Sequence, residues 1–330
     1  MSGLERHWYR ITPLHLILFP VSLLFRLLVA LRRALYRSRI LSGHQLAVPV
    51  IVIGNISAGG TGKTPLTLAL AQQLAGRGWH PLIVSRGYGG GAQQPMHVCQ
   101  DSDAKQVGDE PLLMARRNLC PVWIGKDRAA AAQAALRAHP QCDVVLCDDG
   151  LQHYRLRRDM EVAVIDGIRG FGNGLMLPAG PLREPVSRLR TVDAVVVNGG
   201  GTSPGQYAMR LSGETFYNLA APGKTVAASH FHTLNNHAVA GIGHPQRYFR
   251  HLQTLGIAFT PHAFPDHHPY SAADLAFAGC DAILLTEKDA VKCAAFADAR
   301  YWVLRVDAQI DPALIDHILR KIESHGRKTA

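Results

Sequence analysis

Eight consecutive residues, Ser57-Ala58-Gly59-Gly60-Thr61-Gly62-Lys63-Thr64, follow an apolar run and lead into a helix-forming stretch. Small residues let such a loop wrap a polyphosphate, so that its N–H groups and the following helix N-terminus point at phosphate oxygens. Lys63 then reaches the β and γ oxygens, and the Thr64 hydroxyl ligates Mg²⁺. Ser57 stands where the pattern GxxxxGK[ST] has its first glycine, but Gly59 and Gly60 keep the loop free of bulky side chains.

Two acids lie where a metal is needed. The apolar run Val144–Cys147 delivers Asp148 and Asp149 to the C-terminal end of a strand, the side on which open α/β sheets bind ligands. One of the two is expected to hold Mg²⁺ or its water shell. Transfer of a phosphoryl group also needs a carboxylate or histidine that orients the acceptor hydroxyl and takes its proton. Gly108-Asp109-Glu110-Pro111 places two acids ahead of a helix; the dipole there keeps a carboxylate ionised, and the same position suits Asp109 as a plain N-cap. Asp266-His267-His268 sits in a proline-flanked loop, either as a working imidazole or as a solvated turn. The NKxD string with which GTPases read guanine is missing, since Thr286-Glu287-Lys288-Asp289 has Lys and Asp adjacent. These residues favour a kinase using ATP and Mg²⁺.

The elements that must position these groups can be traced along the chain. Ala47–Ile53 and Pro81–Ser85 read as strands around a helix at Pro65–Ala75, with further strands at Val144–Cys147, Val162–Ile165 and Ala194–Val197. The alanine-rich stretch Arg128–Ala138 reads as a crossover helix. The fold class expected is α/β, a P-loop NTPase-type, mostly parallel sheet flanked by helices. Gly, Ser, Thr and Pro around Gly199–Gly205 suggest a linker, followed by a second, smaller α/β unit with strands near Ala238–Ile242 and Ala282–Leu285. The division expected is therefore 1–43, an N-terminal helix; 44–205, the nucleotide-binding domain; and 206–330, the second α/β domain.

Composition excludes disordered and fibrous classes: 47% of the 330 residues are apolar, ample for a large core. The net charge of +10 is unevenly placed, with seven arginines (Arg6, Arg10, Arg26, Arg32, Arg33, Arg37, Arg39) against Glu5 alone within residues 1–43. That distribution suits an anionic membrane surface more than nucleic acid. Six cysteines without a CxxC pair fit reduced thiols in the cytosol, and no HExxH argues for zinc. From Leu14 to Leu35 the chain is apolar, but His15, Pro20, Arg26, Arg32 and Arg33 break a clean membrane span. Val21, Leu24, Phe25, Leu28, Leu31 and Leu35 share one helical face, with Arg26, Arg33 and Arg37 opposite. Such a helix either lies in the membrane interface or docks on the protein's own core.

Taken together, several strings resemble the tetraacyldisaccharide 4′-kinase (lipid A 4′-kinase) family: Gly54-Asn55-Ile56-Ser57 running into the glycine loop, Ser85-Arg86-Gly87-Tyr88, Val107–Pro111, Asp148-Asp149-Gly150-Leu151-Gln152-His153, Pro181-Leu182-Arg183-Glu184, Phe264–His268 and Thr286–Lys292. They occur in family order over nearly the whole chain, and Ser57 is itself the family's pattern. The resemblance implies transfer of the γ-phosphate of ATP to the 4′-hydroxyl of tetraacyldisaccharide 1-phosphate, forming lipid IVA, at the cytosolic face of the bacterial inner membrane. It implies catalytic roles for Lys63, Asp109, Asp149 and His267. Ser57, Ala58, Gly59, Gly60, Thr61, Gly62, Lys63 and Thr64 would bind the nucleotide, and Thr64, Asp148 and Asp149 would hold the metal. Tyr88, Glu110, Gln152, His153, Arg183 and Glu184 would line the substrate site or hold its charges. The partners expected are the lipid substrate and the cytosolic leaflet, with no nucleic acid and no obligate protein partner. The rival is a membrane-associated P-loop GTPase or ATPase switch, which would hydrolyse nucleotide without labelling an acceptor.

Overall fold

The computed structural model describes residues 7–9 and 12–323. Glu5, Arg6 and Arg10 of the basic N-terminal segment lie outside the described residues, as do residues 324–330. Fifteen strands are described: β1 (Val50–Gly54), β2 (Pro81–Ser85), β3 (Met96–Val98), β4 (Val122–Ile124), β5 (Val144–Asp148), β6 (Met160–Asp166), β7 (Ala194–Asn198), β8 (Tyr207–Ser212), β9 (Thr215–Asn218), β10 (Thr225–Ala227), β11 (Asn236–Ala240), β12 (Thr260–Ala263), β13 (Ala282–Thr286), β14 (Tyr301–Leu304) and β15 (Asp307–Ile310). The principal helices are α1 (Leu14–Arg37), α2 (Lys63–Ala75), α3 (Asp109–Arg116), α4 (Arg128–Ala138), α5 (Pro245–Thr254), α6 (Glu287–Cys293) and α7 (Pro312–Glu323).

The strands form two sheets, ordered β15-β8-β7-β6-β1-β5-β2-β4-β3 and β10-β9-β14-β13-β11-β12. In the larger sheet β3 and β15 are antiparallel edges and the other strands are parallel. Every residue of β1, β2 and β5 is buried, which is why these strands read as unbroken apolar runs rather than alternating ones. Their side chains still alternate. Ile51, Ile53, Ile83 and Leu146 face Leu66, Leu70 and Leu74 of α2 and Leu314, Ile315 and Ile318 of α7. Val50, Val52, Leu82 and Cys147 face the alanines of α4 on the other side.

The break expected between 205 and 206 does not coincide with the division between the sheets. Residues 199–205 link β7 to β8, and β8 pairs parallel with β7 in the first sheet. The chain enters the second sheet only at β9 and returns as β15, antiparallel to β8, followed by α7 on the first core. The glycine-rich turn marks a change of strand, and a strand that leaves a sheet and comes back at its edge carries no compositional signal of its own. The first strand begins at Val50 rather than Ala47, because Pro49 has no N–H to donate to a ladder.

Helix α1 docks by one side. His15 and Ser22 are buried, the Ser22 hydroxyl donates to the Met176 carbonyl at 2.7 Å, and Phe25 and Val29 join the core beneath. Arg33 donates to Thr191 at 2.8 Å. Leu16, Ile17, Val21, Leu24, Leu27, Leu28 and Leu31 are exposed on the outward side. Of the face read from the sequence, only Phe25 and Leu35 turn partly inward. By length and composition α1 is long and apolar enough to cross a membrane.

Because α7 completes the first core, Ile318→Ala should cost about 2–4 kcal/mol of unfolding free energy, the usual range for a buried aliphatic truncation. Denaturant titration reads this directly; a loss below about 1 kcal/mol would mean α7 is only laid against the sheet.

Candidate active site

The glycine loop leaves β1 and is clamped before any phosphate arrives. Asn55, fully buried, donates from Nδ2 to the Thr61 hydroxyl at 3.2 Å and to the Gly59 carbonyl at 3.4 Å. Asn198, at the end of β7, donates to the Thr61 carbonyl at 2.9 Å, and Arg169 donates to the Gly60 carbonyl at 2.9 Å. Gly62 adopts φ +98° and leads straight into α2; a side chain there would be strained and would collide with Asn198. Around Gly60 nothing lies within 4 Å of the position a β-carbon would take. Lys63, the first residue of α2, places its ammonium 3.4 Å from Asp149 Oδ1.

Asp148 and Asp149 differ sharply. Asp148 is wholly buried; one oxygen accepts from the Thr67 hydroxyl at 3.1 Å and the other, Oδ2, has no partner. Burial, with Glu110 and Asp149 adding, pushes its pKa up to about 7. Asp149 follows in the left-handed region, φ +48°, a conformation that costs a non-glycine residue and concentrates at functional sites. Arg183 Nη1 lies 3.3 Å from both its oxygens. Burial would raise its pKa, but Lys63 and Arg183 outweigh this and hold it at about 2. The orphaned Asp148 oxygen beside the Asp149 carboxylate, with Thr64 in the first turn of α2, offers oxygen donors of the kind Mg²⁺ takes. Among the described residues no group of three His, Cys, Asp or Glu could hold a metal.

Asp109 is not a cap. Gly108, with φ +88°, occupies the cap position of α3 with no side-chain hydrogen bond. The Asp109 carboxylate turns instead to the other sheet's residues: His267 Nδ1 at 3.2 Å and the Lys292 ammonium at 3.7 Å. Burial raises its pKa, but the His267 hydrogen bond, Lys292 and Lys288 together leave it below the ordinary value. His267 also sits in the left-handed region, φ +61°. Glu110 pairs with Lys288 at 3.3 Å, and the exposed Tyr88 ring lies 5.4 Å from the His267 ring. The turn at Gly243, after β11, and the Asp266 loop meet the cradle: a β-carbon built on Gly243 would lie 3.4 Å from Gly60 N and 3.5 Å from Asp266 Oδ2.

The remaining expected residues divide. Gln152 donates to the Asn55 carbonyl at 2.9 Å and to Glu184 at 2.8 Å, so it braces the loop from below. Glu184, expected to line the substrate site or hold its charges, is fully buried and also accepts from Tyr154 and from Arg188 Nε, each at 3.0 Å. Its partners make it a buttress beneath the loop. His153 accepts at Nε2 from the Arg128 backbone at 3.3 Å; burial and the Arg128 charge lower its pKa to about 4, so it brings no positive charge at neutral pH. The sequence reading missed Arg128, whose guanidinium is buried and donates to the Asp149 carbonyl at 3.4 Å. It also gave no role to Asn198, Lys288 or Lys292. For the two lysines a signal existed: they lie four residues apart, on one face of a short helix.

A family model described as tetraacyldisaccharide-1-P 4'-kinase matches residues 14–323, a span that includes the cradle, both aspartates and the Asp109–His267 pair. The chain belongs to that family. Among curated relatives, the tetraacyldisaccharide 4'-kinase of Methylobacillus flagellatus is 51% identical over 319 residues, covering 97% of this chain and 95% of the relative. That of Azoarcus sp. (strain BH72) is 51% identical over 336 residues, covering 100% and 98%. The solved structure of the "apo" form of LpxK from Aquifex aeolicus, in complex with ATP, superposes with a TM-score of 0.79 at 28% identity over 94% of this chain and 99% of that one. As a member of the 4′-kinase family the chain is an ATP-dependent kinase, and the switch-protein reading is not favoured. Thr286–Asp289 reads no base here: Asp289 is fully buried, accepting from Thr286 Oγ1 at 2.6 Å and Gly241 N at 3.0 Å.

His153 gives a pH prediction. Its folded pKa of about 4 lies below the unfolded value of 6.5, so the unfolded chain binds more protons between the two. Stability should fall as pH drops through that window, and the His153 ring resonances should show no inflection between about pH 5.5 and 8 in an NMR titration. An inflection near 6.5 would put a cation where the geometry places a neutral ring.

Proposed function

We infer that the chain transfers the γ-phosphate of ATP to the 4′-hydroxyl of tetraacyldisaccharide 1-phosphate, yielding lipid IVA and ADP in lipid A biosynthesis. The observation that carries this reading is Asp109: a carboxylate freed from capping duty, gripped by His267 and Lys292 across the two sheets, beside a P-loop cradle. A sugar hydroxyl is barely acidic, so Asp109 orients it and accepts its proton late, and needs no raised pKa to do so. The 4′-oxygen forms its bond to the γ-phosphorus as the bond to the β,γ-bridging oxygen breaks, and ADP leaves. Lys63 offsets charge developing on the transferring group; Arg183 and Arg128 hold Asp149 in place beside it. Bound through Thr64, Asp148 and Asp149, Mg²⁺ would supply charge neutralisation on the phosphate oxygens. Glu110, Tyr88 and Arg183 line the acceptor side in this reading, and the guanidinium suits a phosphate bidentately.

Docking on the membrane follows from the substrate. Acyl chains leave a bilayer at about 0.8 kcal/mol per CH₂, so the enzyme must reach the surface where they sit. The outward leucines of α1 supply apolar area for that contact, and its arginines suit anionic headgroups. A helix held side-on by Ser22, Phe25 and Val29 lies along the interface rather than across it. The leaflet is then the cytosolic one of the inner membrane, where ATP is available, and no protein partner or nucleic acid is needed.

Labelled γ-phosphate supplied with tetraacyldisaccharide 1-phosphate in mixed micelles tests the chemistry. Wild type should label the lipid, and Lys63→Ala and Asp109→Asn should each lose about 10²-fold or more in kcat. Nucleotide hydrolysis without labelled lipid would return the switch protein to first place. For the membrane contact, Leu24→Glu with Leu28→Glu should cut flotation with anionic vesicles by about tenfold or more while leaving ATP binding intact. Unchanged flotation would assign the exposed face of α1 another role.

A further inference from the structure

His267 is held at both ring nitrogens. Nδ1 lies 3.2 Å from Asp109 Oδ2, and Nε2 lies 3.3 Å from the Lys288 ammonium. An ammonium has three donors and no acceptor, so a contact with it leaves Nε2 as the lone-pair nitrogen. The ring's single proton then sits on Nδ1 and is donated to Asp109, which as a carboxylate only accepts. Burial works against the charge on Lys288, but Glu110 at 3.3 Å and Asp266 at 3.1 Å raise its pKa above the ordinary value, so it stays a donor. Asp266 Oδ1 is 3.9 Å from Nε2, Lys292 reaches the dyad through Asp109, and the Tyr88 ring packs beside it. Of these neighbours Lys288 alone lies within hydrogen-bond distance of Nε2.

We propose that Lys288 is a positioning residue for the phosphoryl transfer: by donating to His267 Nε2 it holds the imidazole as the Nδ1–H tautomer. His267 thus serves Asp109 as a hydrogen-bond donor and cannot compete with it for the substrate's proton. Without the ammonium, a ring protonated at Nε2 would turn its Nδ1 lone pair on the Asp109 carboxylate, and the pair would open. The proposal rests on the reading of Asp109 as the base, yet the tautomer is observable without turnover.

The test is long-range ¹H–¹⁵N spectroscopy of the full-length, histidine-labelled enzyme in micelles at pH 8, with the His267 signals assigned by their loss in His267→Gln. Wild type should show Nδ1–H. Lys288→Met should move the ring towards Nε2–H and lower kcat by about tenfold or more, with KM for ATP changed less than about twofold. Lys288→Arg, again a donor without an acceptor, should keep the tautomer and most of kcat. Asp266→Asn, which removes a charge partner of Lys288 but not its donation, should keep the tautomer too. An Nε2–H ring in wild type, or Nδ1–H retained in Lys288→Met, overturns the proposal. So does a shifted tautomer with unchanged kcat, provided Asp109→Asn is inactive; an active Asp109→Asn would instead sink the base assignment.

Discussion

The site depends on one contact between two short helices, α3 on the first sheet and α6 on the second. The carboxylates of Asp109 and Glu110 at the start of α3 meet the ammonium groups of Lys292 and Lys288. Arg117, just past the end of α3, pairs with Glu287 and with Asp307, both at 2.7 Å. Asp109 and Glu110 in the first turn of α3, and Glu287 and Lys292 at the two ends of α6, also favour their own helix dipoles. The pairs of Asp109 with Lys292 and of Glu287 with Arg117 are largely sequestered from water, where ion pairs gain more than on an open surface but are costly to break singly. This junction brings the Asp109 carboxylate from one sheet and the His267 imidazole from the other together beside the phosphate cradle.

Charge is apportioned around the cradle with little waste. Asp149 carries its charge at any working pH because Lys63 and Arg183 surround it. Asp148, buried among acids with one oxygen unpartnered, is an uncomfortable anion until a cation arrives. Two adjacent carboxylates are thus left in opposite electrostatic states, one strained and one satisfied. The loop itself is held by Asn55, Asn198 and Arg169 rather than by the ligand, so little of the binding energy is spent on ordering it.

Helix α1 carries features of both readings of one pattern. Amphipathicity alone fits a helix docked on its own core and a helix in a membrane interface. In the fold, His15, Ser22, Phe25 and Val29 face the body while a broad apolar side is turned outward, more exposed apolar surface than a helix docked only on its own core needs.

Much of this was legible in the residues. The cradle was, because a phosphate loop is local: its glycines, Lys63 and Thr64 are contiguous, and the strand and helix around them follow from periodicity. The aspartates at the end of β5 and the crossover helix α4 were readable for the same reason. The sequence could not tell Asp109 from a cap, since that turns on whether His267, 158 residues away, comes within reach. Nor could it separate Glu184, a buried brace, from a surface ligand, or see that β8, β15 and α7 complete the first sheet. Local chemistry is written in spacing along the chain; burial, protonation and the pairing of distant charges arise only when separate segments share a volume from which water is excluded, and only the tertiary structure decides which segments those are.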